Sequence, residues 1–179
     1  MDLSDAIGRM RDLGYLDWEE GDQWSKGDVA RLEGETGLQC PSELRRFLLE
    51  WGFLATAPCN GFSVTFESGG TSITEMERIG STEVDRLIKK TKTFLEYRYG
   101  ADNEKVMPGH IPPGYIFFGD AEGNRSHLLM DGVNPDNNAV YLWGLAYDPW
   151  GEGDNTLGIG FVADSLGDFI GNLKLMTEM

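Results

Sequence analysis

Cysteine, positive charge and long apolar runs are all scarce in this chain, and each scarcity excludes something. Cys40 and Cys59 are its only cysteines in 179 residues. Two thiols without a CxxC spacing make no disulfide framework and suit a reducing compartment. No apolar run approaches the roughly 20 residues that a membrane-spanning helix needs. The opening segment, MDLSDAIGRMRDLGYLD, lacks the basic start and apolar middle of a signal peptide. A cytoplasmic protein is therefore expected. Lys and Arg total 15 against 30 Asp and Glu, giving a net charge of −15 and a pI near 4.4. That balance argues against direct contact with nucleic acid or an anionic membrane. The phosphate-binding GxxxxGK[ST], HExxH and GxSxG patterns are missing too, so nothing positive points to an enzyme.

What is present suits one globular domain. A chain of this length buries roughly 70% of its unfolded surface and needs no metal or disulfide staple. Thirteen of the 24 glycines lie in the second half, where they punctuate short strands. The acidity is uneven as well. From Asp120 onward only Arg125 and Lys174 offset ten acidic residues, a distribution that would speed encounter with a basic partner.

Leu3, Ile7 and Met10 mark a short first helix, followed by a polar, aromatic-bearing connection from Gly14 to Gln23. Ser25 and Asp28 form a capping box for a helix that ends at Gly37. Pro41 opens a third helix whose Leu44, Phe47, Leu48 and Trp51 share one face. Phe62, Val64 and Phe66 alternate with polar residues as in a half-buried strand, and Thr71 to Met76 is expected to pair back. Ser81 opens a longer helix that Gly100 closes; its Lys89, Lys90 and Lys92 read as a solvated face. Short strands follow at Tyr115–Phe118, Leu128–Met130, Val140–Trp143 and Ile159–Val162, separated by Gly, Asn, Asp and Pro turns. Ser165 and Asp168 cap a last helix. The pattern predicts an α+β domain: a bent, mainly antiparallel sheet with N-terminal helices and a C-terminal helix packed on it.

Four stretches occur in an order that resembles the SUKH superfamily, which unites Smi/Knr-type cell-wall-synthesis regulators with bacterial toxin-immunity proteins. They are Val29 to Gly37 leading into CPSELRRFLLEWG, then IPPGYIFFGDAEGN, VYLWG and ADSLGDFIGNL. The resemblance divides the chain into an acidic extension over 1–24 and a SUKH-like domain over 25–179. It implies a binding protein without cofactor or metal: an immunity protein that occludes a basic toxin, or alternatively a cytoplasmic regulatory scaffold. The resemblance implies that many such toxins are basic, because they hold polyanions, and in that context the acidity of this chain gains a meaning.

Two places collect the candidate contact residues. One is the turn after Phe118, carrying Asp120, Glu122 and Asn124. The other is the loop YDPWGEGDNT, where Asp148, Glu152 and Asp154 surround Trp150, a residue type favoured at binding hot spots. Asp120, Glu122, His127 and Asp131 also raise a weaker alternative, a metal-dependent hydrolase. Asp and Asn are equally what a turn prefers. Cys40, at the start of a helix, is expected to be packed rather than reactive, and His110 has no ligand-like spacing.

Overall fold

In the computed structural model, residues 1–66, 70–99, 105–108, 114–123, 125–144 and 158–179 are described. Helix α1 (Leu3–Asp12) starts at Asp2, whose carboxylate accepts from the Ser4 amide at 2.9 Å, and it buries Leu3, Ala6, Ile7 and Met10. Helix α2 (Lys26–Thr36) has both bonds of the Ser25–Asp28 capping box and exits through left-handed Gly37. Helix α3 (Ser42–Glu50) follows Pro41 and buries Leu44, Phe47 and Leu48. Helix α4 spans Val84–Leu95, and α5 (Leu166–Gly171) is capped by Ser165. The capping box at α2 and the Ser165 side-chain cap at α5 leave fewer first-turn amides unpaired, which is why these helices begin where they do.

The strands are β1 (Leu16–Asp17), β2 (Phe53–Thr56), β3 (Asn60–Phe66), β4 (Thr71–Gly80), β5 (Glu96–Tyr99), β6 (Lys105–Pro108), β7 (Tyr115–Ala121), β8 (Ser126–Asp131), β9 (Val140–Gly144), β10 (Ile159–Ala163) and β11 (Lys174–Leu175). Strands β5 and β6 form a separate hairpin, and the other nine form one antiparallel sheet ordered β1-β2-β4-β7-β8-β9-β10-β3-β11. Because β3 also pairs with β4, the strands β3, β4, β7, β8, β9 and β10 close on themselves. The closing contact between β10 and β3 is short, Gly160 opposite Phe66 and Phe161 opposite Thr65. Gly160 permits it: a side-chain carbon there would lie 2.3 Å from Val64 Cγ1. The α+β class and the bent sheet anticipated from sequence are those observed.

One face of the sheet is apolar, with Phe62, Val64, Phe66, Leu128, Met130, Val140 and Leu142 all buried. Phe62 meets Phe169 of α5 edge-on at 5.1 Å, which places α5, with α1 packed on it, against this face. The opposite face is partly covered by α4, whose Thr91 Oγ1 accepts from the Phe117 amide at 3.2 Å. Residues Leu3 to Leu16 contribute to the same core.

Two local expectations are corrected. The helix beginning near Ser81 ends at Leu95 rather than Gly100, because Glu96-Tyr97-Arg98-Tyr99 alternates polar and aromatic residues and pairs as β5 with β6. The connection from Gly14 to Gln23 contains β1, and Gly52 leads directly into β2. Strands this short show no readable period.

Candidate functional site

A single row of opposed residues crosses the sheet: Asp17, Ala55, Arg78, Asp120, His127, Trp143 and Ile159, one from each of β1, β2, β4, β7, β8, β9 and β10. Its centre is Asp120, which is fully buried. Oδ2 of Asp120 lies 3.2 Å from Nε of Arg78 and accepts from Nη2 of Arg86 at 2.6 Å. Oδ1 accepts from Nζ of Lys90 at 2.5 Å and meets Nδ1 of His127 at 3.0 Å. Arg86 and Lys90 stand four apart on α4 and so project from one side of it. The ammonium of Lys90 also lies 4.7 Å from the centre of the Phe117 ring.

The position of Asp120 depends on a bulge. Phe117 opposes Leu129 but Gly119 opposes Leu128, so Phe118 is an extra residue in β7. A bulge of this kind changes which face the following residues occupy. It carries Asp120 to the α4 side, opposite His127 and Arg78. Asp120 was expected at the hairpin tip as a partner contact; it is instead a strand residue with no surface to offer. Lys90, expected on a solvated helix face, turns inward to it. Lys92 reaches Glu35 at 3.6 Å, and Lys89 is exposed.

Burial alone would raise the pKa of Asp120. The hydrogen bonds from His127, Lys90 and Arg86 outweigh it and hold the carboxyl well below the usual range. His127 moves the same way: burial lowers its pKa, the Asp120 bond opposes this, and the charges of Lys90 and Arg86 add to the lowering. Its Nδ1 faces an acceptor-only carboxylate, so the neutral ring carries its hydrogen there. The ring stacks on Trp143 at 5.8 Å and meets Phe117 edge-on.

Both shifts have one sign. Below about pH 6.5 the unfolded chain protonates His127 while the folded chain resists, so stability falls as pH drops toward the lowered folded pKa. The Asp120 contribution is present above about pH 3.9 and is lost as pH falls further, through its depressed folded pKa. Urea midpoints measured from pH 8 to pH 2 should therefore begin to fall near pH 6.5, and His127→Gln should remove that first decline while leaving the later one below about pH 3.9. A midpoint flat from pH 7.5 to 5 in the parent protein would contradict the assignment.

The four residues of the hydrolase alternative do not form one site. Asp120 has four donors around its two oxygens, which fills the lone-pair capacity of a carboxylate. Asp131 lies four residues along β8 from His127, about 13 Å at the rise of a strand. It is occupied there by the amides of Val133 and Asn134 and by Nδ2 of Asn137. Glu122 is at the tip, with positive φ, and accepts from Oγ of Ser126 at 2.8 Å. Among the described residues no group of three or more His, Cys, Asp or Glu is placed to hold a metal. Asn124, Asp148, Trp150, Glu152, Asp154 and His110 lie outside the described residues. Cys40 is buried; burial, with the charge of Glu33 adding to it, pushes its thiol up to about 12, which leaves it un-ionised and unreactive.

Local sequence signals anticipated the acids and missed their partners. The spacing of Arg86 and Lys90 was the one visible clue, since Arg78 comes from a different strand. Among the described residues no helix is long and apolar enough to cross a membrane. Comparison with curated proteins returned no match. Comparison with protein families matched residues 24–172, most of the chain and, but for the final Leu173, all four of the stretches noted in the sequence, to the family described as SMI1 / KNR4 family (SUKH-1). With that match, and with the α+β fold built over the same residues, the chain belongs to the SMI1 / KNR4 family (SUKH-1).

Proposed function

We propose that this protein is an immunity-type binding protein that neutralises a basic toxin by stoichiometric occlusion. The family is known for immunity and cell-wall-regulator types and is generally non-catalytic. The observation that carries the reading is where the positive charge goes. Arg78, Arg86 and Lys90 are all directed at one buried carboxylate. That cluster holds three positive charges against one negative, so the remainder of the chain carries −17 while the whole carries −15. The chain away from that cluster thus carries the whole of the acidic excess, and like-signed surfaces of this kind select and accelerate basic partners.

The proposed contact surface includes Glu122 and Asn124 at the hairpin tip, together with Asp148, Trp150, Glu152 and Asp154. Asp120 is left out because it is buried. Co-expression with toxins encoded beside the gene tests the reading. The expected result is a one-to-one complex, loss of toxin activity at equimolar ratio, and association that slows with added salt. Charge reversal at Asp148, Glu152 and Asp154 should lower the association rate and flatten its salt dependence. Failure to bind or protect against any neighbouring toxin, with an endogenous regulatory protein captured instead, would favour the scaffold reading.

A further inference from the structure

Next to the Asp120 row, at its β1 end, the structure has a preformed recess of about 280 Å³ lined by Asp17, Trp18, Glu19, Asp22, Phe53, Ala55 and Thr82. Its lining sets the apolar side chains of Trp18, Phe53 and Ala55 beside three carboxylate residues. We propose that it is a socket for an arginine side chain of the protein partner, a role that rests on the binding function proposed above, although the socket itself rests on its own geometry.

Three observations select the occupant. The first is rigidity. Trp18 Nε1 donates to the Trp51 carbonyl at 3.0 Å, Trp24 Nε1 donates to the Ser81 carbonyl at 2.7 Å, and the Trp24 amide donates to the Leu48 carbonyl. These bonds fix both ends of the segment that carries the acids, so little ordering is needed on binding. The second is charge. Asp17, Glu19 and Asp22 are in no ion pair among the described residues. Arg78, the cation opposite Ala55 in the row, is directed at Asp120. The third is the indole, which already takes a guanidinium: Cζ of Arg11 lies 5.4 Å from the Trp18 ring centre.

Other ligands fit less well. The carboxylates do not converge as a metal-binding group, so a point charge would be poorly held. The volume is at the small end of the roughly 300–1,000 Å³ of small-molecule pockets, a size that suits one side chain. Arginine suits better than lysine because its planar, weakly hydrated fork stacks on indole and spreads its donors over several carboxylates.

The probe is the peptide acetyl-Gly-Arg-Gly-amide, titrated into the isotope-labelled full chain and followed by NMR, with the citrulline peptide as neutral isostere. The expected result is a saturable shift of the Trp18 indole N–H and of the Asp22 and Phe53 amides with the arginine peptide alone. Combining Asp17→Asn, Glu19→Gln and Asp22→Asn, all on partly or fully exposed residues, should weaken that binding about tenfold while leaving the other indole resonances in place. Linear shifts, an equal response to citrulline, or binding untouched by the triple variant would overturn the socket. A neighbouring toxin that binds without moving the Trp18 resonance also overturns it and leaves the immunity reading standing. Peptide binding with no toxin partner does the reverse.

Discussion

Asp120→Ala will be the most damaging single substitution on the outer sheet face, costing about 3–5 kcal/mol. The carboxylate is fully buried and receives Arg86, Lys90 and His127, with Arg78 at 3.2 Å. Removing it leaves three cations facing one another beside the Phe117 ring. Their side chains are 24–32% exposed, so water relieves part of the repulsion and the loss should fall toward the lower end of that range. Asp120→Asn keeps the shape and one acceptor while losing the charge, and should fall between alanine and the parent protein. Glu122→Gln, two residues away at the tip, should change stability by no more than about 0.5 kcal/mol. Urea denaturation of the three variants measures the order. An Asp120→Ala protein as stable as Glu122→Gln would mean that the cluster does not hold together as described.

Gly52→Ala is expected to cost about 3 kcal/mol or more, because two penalties coincide. Gly52 has φ of 72°, a left-handed conformation that disfavours a side chain. A methyl carbon there would also sit 1.8 Å from the Asp22 carbonyl oxygen, so the segment between Trp18 and Trp24 would have to lift. Gly37 isolates the first penalty. Its φ is 71°, yet nothing lies within 4 Å of an added carbon. Gly37→Ala should therefore cost only about 1–2 kcal/mol. Thermal or urea unfolding of the pair separates strain from clash, and equal losses would remove the close approach of Asp22 from the account. In the Gly52 variant the Trp18 indole resonance should shift as well, since Asp22 lines the recess together with Trp18.

Much of the framework was legible because its signals are local. Ser25 with Asp28, and Ser165 with Asp168, are three residues apart; the first pair closes as a capping box, and in the second Ser165 Oγ accepts from the Asp168 amide and donates to its carboxylate. The stripe of Leu44, Phe47 and Leu48 and the alternation of Phe62, Val64 and Phe66 each report a period that burial then uses. The site was legible only in half. Asp120 stood in a Gly-Asp-Ala run, residue types poor in strands, so a turn was the natural expectation. Its strand continues because Gly119 allows the Arg78 carbonyl to approach within 2.7 Å of where a side-chain carbon would sit. The partners are 42, 34 and 30 residues away in sequence, and no local period connects them. The aromatic lining of the Trp18 recess was hidden for the same reason: Phe53 and Trp18 meet only when β1 pairs with β2.

The extra residue at Phe118 has a consequence for how this hairpin can vary. Along β7 it acts as a half-period phase slip: residues before it and after it keep opposite parity with respect to the barrel interior. Loop length at the tip can drift without altering that parity, and deleting Phe118 would leave Phe117, Gly119 and Asp120 opposite Leu129, Leu128 and His127, but a strand with the bulge ironed out and all its residues retained would rotate Asp120 into the apolar interior and turn Gly119 outward. Three cations would then line an outer wall with no counter-charge, and an acid would enter a space filled by Leu128 and Leu142. The hairpin is therefore free to vary in length at its end, while at its middle the extra residue sets which face every later residue of β7 occupies.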